Sequence, residues 1–302
     1  MSFSGKYSDV IQPEKLDKLS VSIFLNELID ADGGVAANIT YSLALLGEKS
    51  VLLGAVGPDG TVYLERLARL GVDITAVHES ALPTATFNVI TDAAENQLGG
   101  FYPGAMSDSA SLSFEAWKNQ NPICVVSPHD PAGMRRQVQE CADWDLRLCY
   151  DVGQQVTNLG ADDLRAGVEA AEVLILNEYE LGVLVAKTGL SEAEIKSRVP
   201  VVITTHGKHG STAEGAQIPE PVRAGIVQPS KVKDPTGAGD AYRAGFLFGW
   251  QRDYKWLDCM QLGATCATFA IEGKGPQGHV FTLAEVAARY EASFGKPLPA
   301  QA

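Results

Sequence analysis

Strand-length apolar runs alternate with helically spaced stretches through most of this chain, and that alternation leaves few folds open. SVLLGAVG (50–57), ICVVS (123–127), LRLCYDVG (146–153), EVLILN (172–177) and PVVITTHG (200–207) read as strands. GTVYLERLARLG (60–71), GMRRQVQECADW (133–144), ADDLRAGVEAA (161–171) and EYELGVLVAKTG (178–189) read as the helices between them. Apolar strands separated by helices predict an α/β fold, with a mostly parallel sheet covered on both faces. Two regions depart from the pattern. Residues 1–30 are mixed and polar, and TATFNVITDAAENQLGGFYPGAM (84–106) alternates like two antiparallel strands with a turn near Glu95 and Asn96. Both predict a small β flap, a lid built from segments of about 1–30 and 82–106. After Gly239 the chain reads as three helices, 239–251, 255–272 and 282–293. No internal repeat or low-complexity linker divides the chain, so residues 1–302 are expected to form one domain.

Charge and cysteine content narrow the setting. Asp and Glu number 37 against 24 Lys and Arg, for a net charge of −13. With no basic run, such a surface repels nucleic acid and acidic membranes, so neither is expected as a partner. No apolar run reaches the roughly 18 residues of a membrane span, and the N-terminus lacks an apolar signal core. The five cysteines, Cys124, Cys141, Cys149, Cys259 and Cys266, show no C-x-x-C or zinc spacing. They predict reduced, mostly buried thiols and a cytoplasmic protein.

DPTGAGDAYRAGFLFGW (234–250) carries the most chemistry. Strand-type AGIVQPSKVK leads into Asp234-Pro-Thr, then Gly237-Ala238-Gly239, then a helix with Asp240 near its first turn. The main-chain amides from Gly237 to Asp240 would converge on one point and hold the charge that grows on a transferring phosphoryl group. Asp240 beside them would take a proton from a substrate hydroxyl. The bland alternative is that Asp240 caps the helix. Small Ala241, Ala244 and Gly245 are expected to bring the helix close to the sheet and the ligand.

Four weaker stretches accompany it. GGVAANITYSLALLG (33–47) sets Gly33 and Gly34 before a helix beginning near Val35, with Asn38 in its first turn. An amide side chain there suits sugar hydroxyls, although a simple turn explains the glycines equally. In NEYE (177–180), Asn177 and Glu180 stand at a strand's carboxyl end, where they would face a hydrated Mg²⁺ or form a capping box. In TTHGKHG (204–210), Thr205, Gly207 and Gly210 form a small polar loop suited to nucleotide phosphates or ribose; Lys208 reads as solvated. IEGKGPQG (271–278) would border an adenine or serve as a plain loop.

Taken together, Asp234–Gly245 and Gly33–Gly60 resemble the ribokinase-like (PfkB-type) carbohydrate and nucleoside kinases, and the likeness runs through nearly the whole chain in order. GGVAANITYSLALLG, FYPGAM, DVGQQ and DPTGAGDAYRAGFLFG are similar to those of bacterial adenosine or general nucleoside kinases. The resemblance implies a three-layer fold and ATP-dependent phosphorylation of a nucleoside 5′-hydroxyl, adenosine foremost. It implies Asp240 as base, with Gly237, Ala238 and Gly239 stabilising the phosphoryl group. Gly33, Gly34 and Asn38 would hold ribose, and Asn177 and Glu180 would organise Mg²⁺, largely through water. Thr205, Gly207 and Gly210 would flank ATP. A monovalent cation such as K⁺ would lie near Asp234 and Thr236, and relatives occur as monomers and as homodimers. The family also opens with an apolar strand carrying an Asp that contacts sugar hydroxyls. Here Met1 begins at SFSGKYSDV, which resembles the later flap, so that strand and its Asp are expected to be missing and one sheet edge left unpaired. Asp9 and Asp17 are poor substitutes by position.

Two other readings remain. A sugar kinase would lack residues that stack on a base; Phe3, Phe87, Phe101 and Tyr102 favour a nucleoside. A non-catalytic relative would bind without turnover. A dehydrogenase is excluded, because no G-x-G-x-x-G opens a helix after a strand.

Overall fold

The computed structural model describes residues 1–11, 18, 20–94 and 96–300; Asp17 and Glu95 lie outside the described residues. The first half of the chain contains α1 (Tyr7–Val10), α2 (Val35–Leu45), β1 (Gly54–Val56), α3 (Thr61–Arg69), β2 (Val77–Glu79), β3 (Thr86–Thr91), β4 (Gln97–Tyr102), β5 (Ile123–Val126), α4 (Pro131–Asp143) and β6 (Arg147–Tyr150). The second half contains α5 (Ala161–Ala170), β7 (Val173–Asn177), α6 (Glu178–Thr188), α7 (Glu192–Arg198), β8 (Val201–Thr205), β9 (Ser211–Glu214), β10 (Val222–Ala224), α8 (Ala238–Trp250), α9 (Trp256–Glu272) and α10 (Leu283–Phe294).

The main sheet runs in the order β10-β9-β8-β7-β6-β5. β5 to β8 are parallel, and β9 and β10 add on antiparallel. On its outer side β5 has no strand among the described residues, and β1 pairs with β2 in a separate parallel ribbon. β7 shows why its sequence lacks polar alternation. Val173 and Ile175 enter one core with α2, α8, α9 and α10, while Leu174 and Leu176 enter a second core with α4, α5, α6 and α7. Helices thus cover both faces, and every inner position of the strand is apolar.

Two expectations about the last third need correction. AGIVQPSKVK forms a strand only at its start, where Ala224 ends β10; Pro229 has no N–H to give a ladder. The amides of Lys233 and Asp234 instead donate to the carbonyl of Ile271, 2.8 and 3.2 Å away. Gly245 faces α9 rather than the sheet. A β-carbon there would stand 2.6 Å from the Leu262 carbonyl oxygen, so its smallness lets α8 lie against α9.

The flap region forms as a hairpin, β3 paired antiparallel with β4. Ser2 bridges both Glu27 and Thr91, so the N-terminal residues lie beside it. Asp92 closes the tip by accepting from the amides of Tyr7, Ala94 and Asn96. Phe87 and Phe101 face each other across the strands and are exposed, as is Tyr102. Phe3 is buried edge-on against Tyr7, 5.2 Å between ring centres, and is therefore not available to stack on a base.

All five cysteines are buried and free. His279 is 3% exposed and packs between the Tyr41 and Phe281 rings, with Nε2 3.0 Å from the Ser42 hydroxyl. Burial lowers its pKa to about 4, against an ordinary value near 6.5. The stability this contributes is fully present above pH 6.5 and is lost as pH falls toward 4. Urea unfolding at pH 7.5 and pH 5 is expected to differ by about 2 kcal/mol on this account. His279→Gln should remove that part of the difference, and an unchanged pH slope in the variant would acquit His279.

Candidate active site

The candidate residues gather at the carboxyl edge of the sheet, where ligands bind in open α/β folds. Asp151 follows β6, Asn177 ends β7 and Thr205 ends β8; Asn177 and Thr205 are register partners. The N-terminus of α8 points into the same edge.

Local chemistry builds that N-terminus. Asp234 Oδ1 accepts from the Thr236 amide and Oδ2 from the Gly275 amide, each at 2.9 Å. The turn is thereby fastened to the 271–278 loop. Gly237 then takes φ 81°, a left-handed conformation, and a β-carbon there would meet the Pro276 Cα at 2.8 Å; only glycine fits both demands. The amides of Gly237, Gly239 and Asp240 have no acceptor among the described residues. Ala238, expected as a further donor, gives its amide to the Pro235 carbonyl at 3.1 Å, because the turn closes there. The free amides sit at the positive end of a 13-residue helix and suit an anion.

Asp240 does not cap its helix; Gly237 holds that position. Its Oδ2 accepts instead from Asn38 Nδ2 at 2.7 Å, joining two helices 202 residues apart in sequence. Burial pushes the Asp240 carboxyl upward, against the pull of Arg243 and the Asn38 hydrogen bond. Gly34 is the N-cap of α2, and the Gly33 carbonyl accepts from the Tyr63 hydroxyl at 2.8 Å. Gly33, Gly34 and Asn38 therefore stand together with Asp240.

Several residues of the site had no role in the sequence reading. Arg243, one turn beyond Asp240, places Nη2 2.5 Å from Asp151 Oδ1 and Nη1 3.9 Å from Asp240 Oδ1. Asp151 is fully buried, and burial raises its carboxyl pKa while Arg243 lowers it. The i, i+3 spacing of Asp240 and Arg243 and the strand-end position of Asp151 were the available signals. Gln277 reaches in from the 271–278 loop to donate to Asn38 Oδ1 at 2.9 Å, so that loop serves the site as more than a connector.

Asn177 and Glu180 form a reciprocal capping box: Asn177 Oδ1 accepts from the Glu180 amide and Glu180 Oε2 from the Asn177 amide, both at 2.9 Å. For a divalent ion these residues fit through water. Each already has one oxygen engaged, and no three His, Cys, Asp or Glu side chains among the described residues stand where they could ligate directly. Asp151 Oδ2, buried without a hydrogen-bond partner, is a further acceptor at this edge. A monovalent cation near Asp234 would share a carboxylate whose two oxygens each already accept one amide. Thr205 ends β8, and Gly207 and Gly210 occupy the β8–β9 connection, with the His206 amide donating to the Gly210 carbonyl at 2.8 Å; Lys208 is exposed.

An acid over free amides at a helix start, held by a sugar-type amide side chain, is chemistry for phosphoryl transfer to an alcohol. The family model described as pfkB family carbohydrate kinase matches residues 30–282. The chain belongs to this family. It is 28% identical over 298 residues to a nucleoside kinase of Methanothermobacter thermautotrophicus, covering 96% of this chain and 94% of that protein. The nucleoside kinase of Burkholderia thailandensis in complex with inosine superposes with a TM-score of 0.89 at 32% identity, covering 99% of this chain and 96% of the other. The same protein in complex with ADP-inosine gives 0.85 at 31%, with coverage of 100% and 95%. This pfkB kinase thus has the ribokinase-like α/β fold, and it is similar to nucleoside kinases from end to end. Among its described residues no helix is long and apolar enough to cross a membrane.

Proposed function

We propose that this kinase transfers the terminal phosphoryl group of ATP to the 5′-hydroxyl of a nucleoside, adenosine foremost. The observation that carries the reading is the Asp240 carboxylate, held by Asn38 beside the free amides of Gly237 and Gly239. The similarity to nucleoside kinases supports the choice of acceptor. Asp240 takes the hydroxyl proton as the alcohol oxygen attacks, and the amides at the α8 terminus receive the charge on the phosphoryl oxygens. Ala238 contributes the small residue of the turn rather than a donor. Gly33, Gly34 and Asn38 hold the ribose. Thr205, Gly207 and Gly210 flank the nucleotide. Asn177 and Glu180 would hold the water shell of a bound Mg²⁺, which would supply charge screening of the phosphates. The β3–β4 hairpin acts as a lid that excludes water, and its exposed Phe87 and Phe101 offer ring faces to a base.

Thermal shift and ADP release test this together. Adenosine at a hundred times its Kd should stabilise the fold by about 2.7 kcal/mol, whereas ribose should leave it unmoved. ADP should form only when a nucleoside is present, and adenosine should be preferred over inosine, guanosine and cytidine. Stabilisation and turnover by ribose alone would make the protein a sugar kinase. Nucleoside binding without phosphorylated product would make it a non-catalytic relative.

A further inference from the structure

The site contains a line of side chains whose direction is fixed at one end. The guanidinium of Arg66 (α3) is held by Asp32 at 2.9 Å and lies over the Tyr41 and Tyr63 rings, 5.4 and 5.7 Å from their centres. Its Nη2 donates to Gln277 Oε1. An arginine has only donors, so the oxygen of Gln277 must face it and the amide nitrogen must face away. That nitrogen donates to Asn38 Oδ1 at 2.9 Å and to the Tyr63 hydroxyl at 2.8 Å. Asn38 therefore turns its oxygen to Gln277 and its nitrogen to Asp240 Oδ2, 2.7 Å away. The Tyr63 hydroxyl donates its own hydrogen bond to the Gly33 carbonyl.

We propose that Arg66 and Gln277 are positioning residues: through Asn38, they oblige a donor to face the Asp240 carboxylate. This rests on the reading of Asp240 as the proton acceptor. A free amide side chain is nearly symmetric in shape and could turn its oxygen to a protonated Asp240 as readily as its nitrogen to an ionised one, so it would not favour the ionised form. A protonated acid cannot serve as the base. The chain also ties together α2, α3, α8 and the 271–278 loop, so the acceptor becomes competent only when all four are docked. Of the other ionisable groups at this end, Arg243 on α8, Asp151 after β6 and Glu180 on α6 make no contact with Gln277, whereas Tyr63 bonds it directly and Asp32 and Tyr41 meet it through Arg66.

Gln277→Met and Gln277→Glu test the idea. Both remove the donor toward Asn38. Gln277→Glu keeps a partner for Arg66 but adds an acceptor that invites Asn38 to flip. The acid limb of kcat/KM should move up by about one pH unit in Gln277→Met and further in Gln277→Glu. At a pH near the wild-type limb, kcat should fall about tenfold while the KM for ATP stays put. A merely structural role predicts a less stable Gln277→Met variant whose acid limb is unmoved; the charge added in Gln277→Glu raises the limb by itself, so Gln277→Met carries the decision. The Asp240 carboxyl resonance, assigned with Asp240→Asn and titrated by carbon-13 NMR, reads the same shift without turnover. It therefore judges the relay even if the wild type phosphorylates no nucleoside, an outcome that would sink the kinase reading alone. If either folded variant leaves both the carboxyl titration and the acid limb where the wild type has them, the relay is wrong.

Discussion

Asp240→Asn is expected to lower kcat by about a thousandfold, within the range that a positioned general base contributes. The substitution preserves shape, and its side-chain oxygen can still accept from Asn38 Nδ2, which lies 2.7 Å from the present carboxylate. What it cannot do is take a proton from an alcohol. Nucleoside affinity should stay within a few-fold of wild type, since Gly33, Gly34 and Asn38 remain in place. Stability should hold or rise, because burial disfavours the Asp240 charge and the variant has none to bury. Rapid-quench or coupled measurements of kcat, together with calorimetric nucleoside binding, check the split. A variant that turns over at the wild-type rate would take the base role away from Asp240.

The second large effect lies next to it. Arg243→Met should cost about 3–5 kcal/mol, because it leaves Asp151 fully buried without its partner, obliged to bury a lone charge or to take up a proton. That is a large part of the stability of an ordinary domain. Pairing Arg243→Met with Asp151→Asn should recover most of the loss, since a neutral amide replaces the stranded charge. The pH dependence has a definite sign. Burial raises the Asp151 pKa even beside Arg243, so without the guanidinium it rises further. A raised acid favours the folded state at low pH and loses that advantage as pH increases. The single variant should therefore unfold more readily at pH 8 than at pH 5.5, and the double variant should show little of this slope. Denaturant melts at both pH values decide it; equal losses at the two pH values would mean that Asp151 is not the stranded charge. Activity of the double variant at 25 °C then isolates the part Arg243 plays beside Asp240.

The residues that were legible in sequence share one property: their roles are written within a few positions of themselves. Apolar runs and helical spacing located β5 to β8 and α4 to α6, because burial on two faces leaves a continuous signature, whereas the short β2, β9, β10 and α7 carried none. Gly-Ala-Gly before an apolar helix located the anion-type turn, and the structure seats Asp240 one turn into α8 as that spacing requires. Where the local signal misled, a distant contact had overridden it. AGIVQPSKVK has strand composition, yet its end is pulled onto Ile271. Gly245 looked like room for a ligand and is room for α9. The Ala238 amide was counted as a donor to phosphate and closes its own turn.

Sequence by itself determined the layered α/β architecture, the Gly-Ala-Gly turn before α8 and the place of Asp240 in that helix's first turn. Each follows from periodicity or turn chemistry over a short span. Only the tertiary structure decided that Asn38 faces Asp240, that Asp151 neutralises Arg243, and that Gln277 and Arg66 stand behind Asn38. Those pairs are separated by 202, 92, 239 and 211 residues. Side-chain direction over such distances is set by how helices and loops pack on the sheet, and no local preference of the chain encodes it.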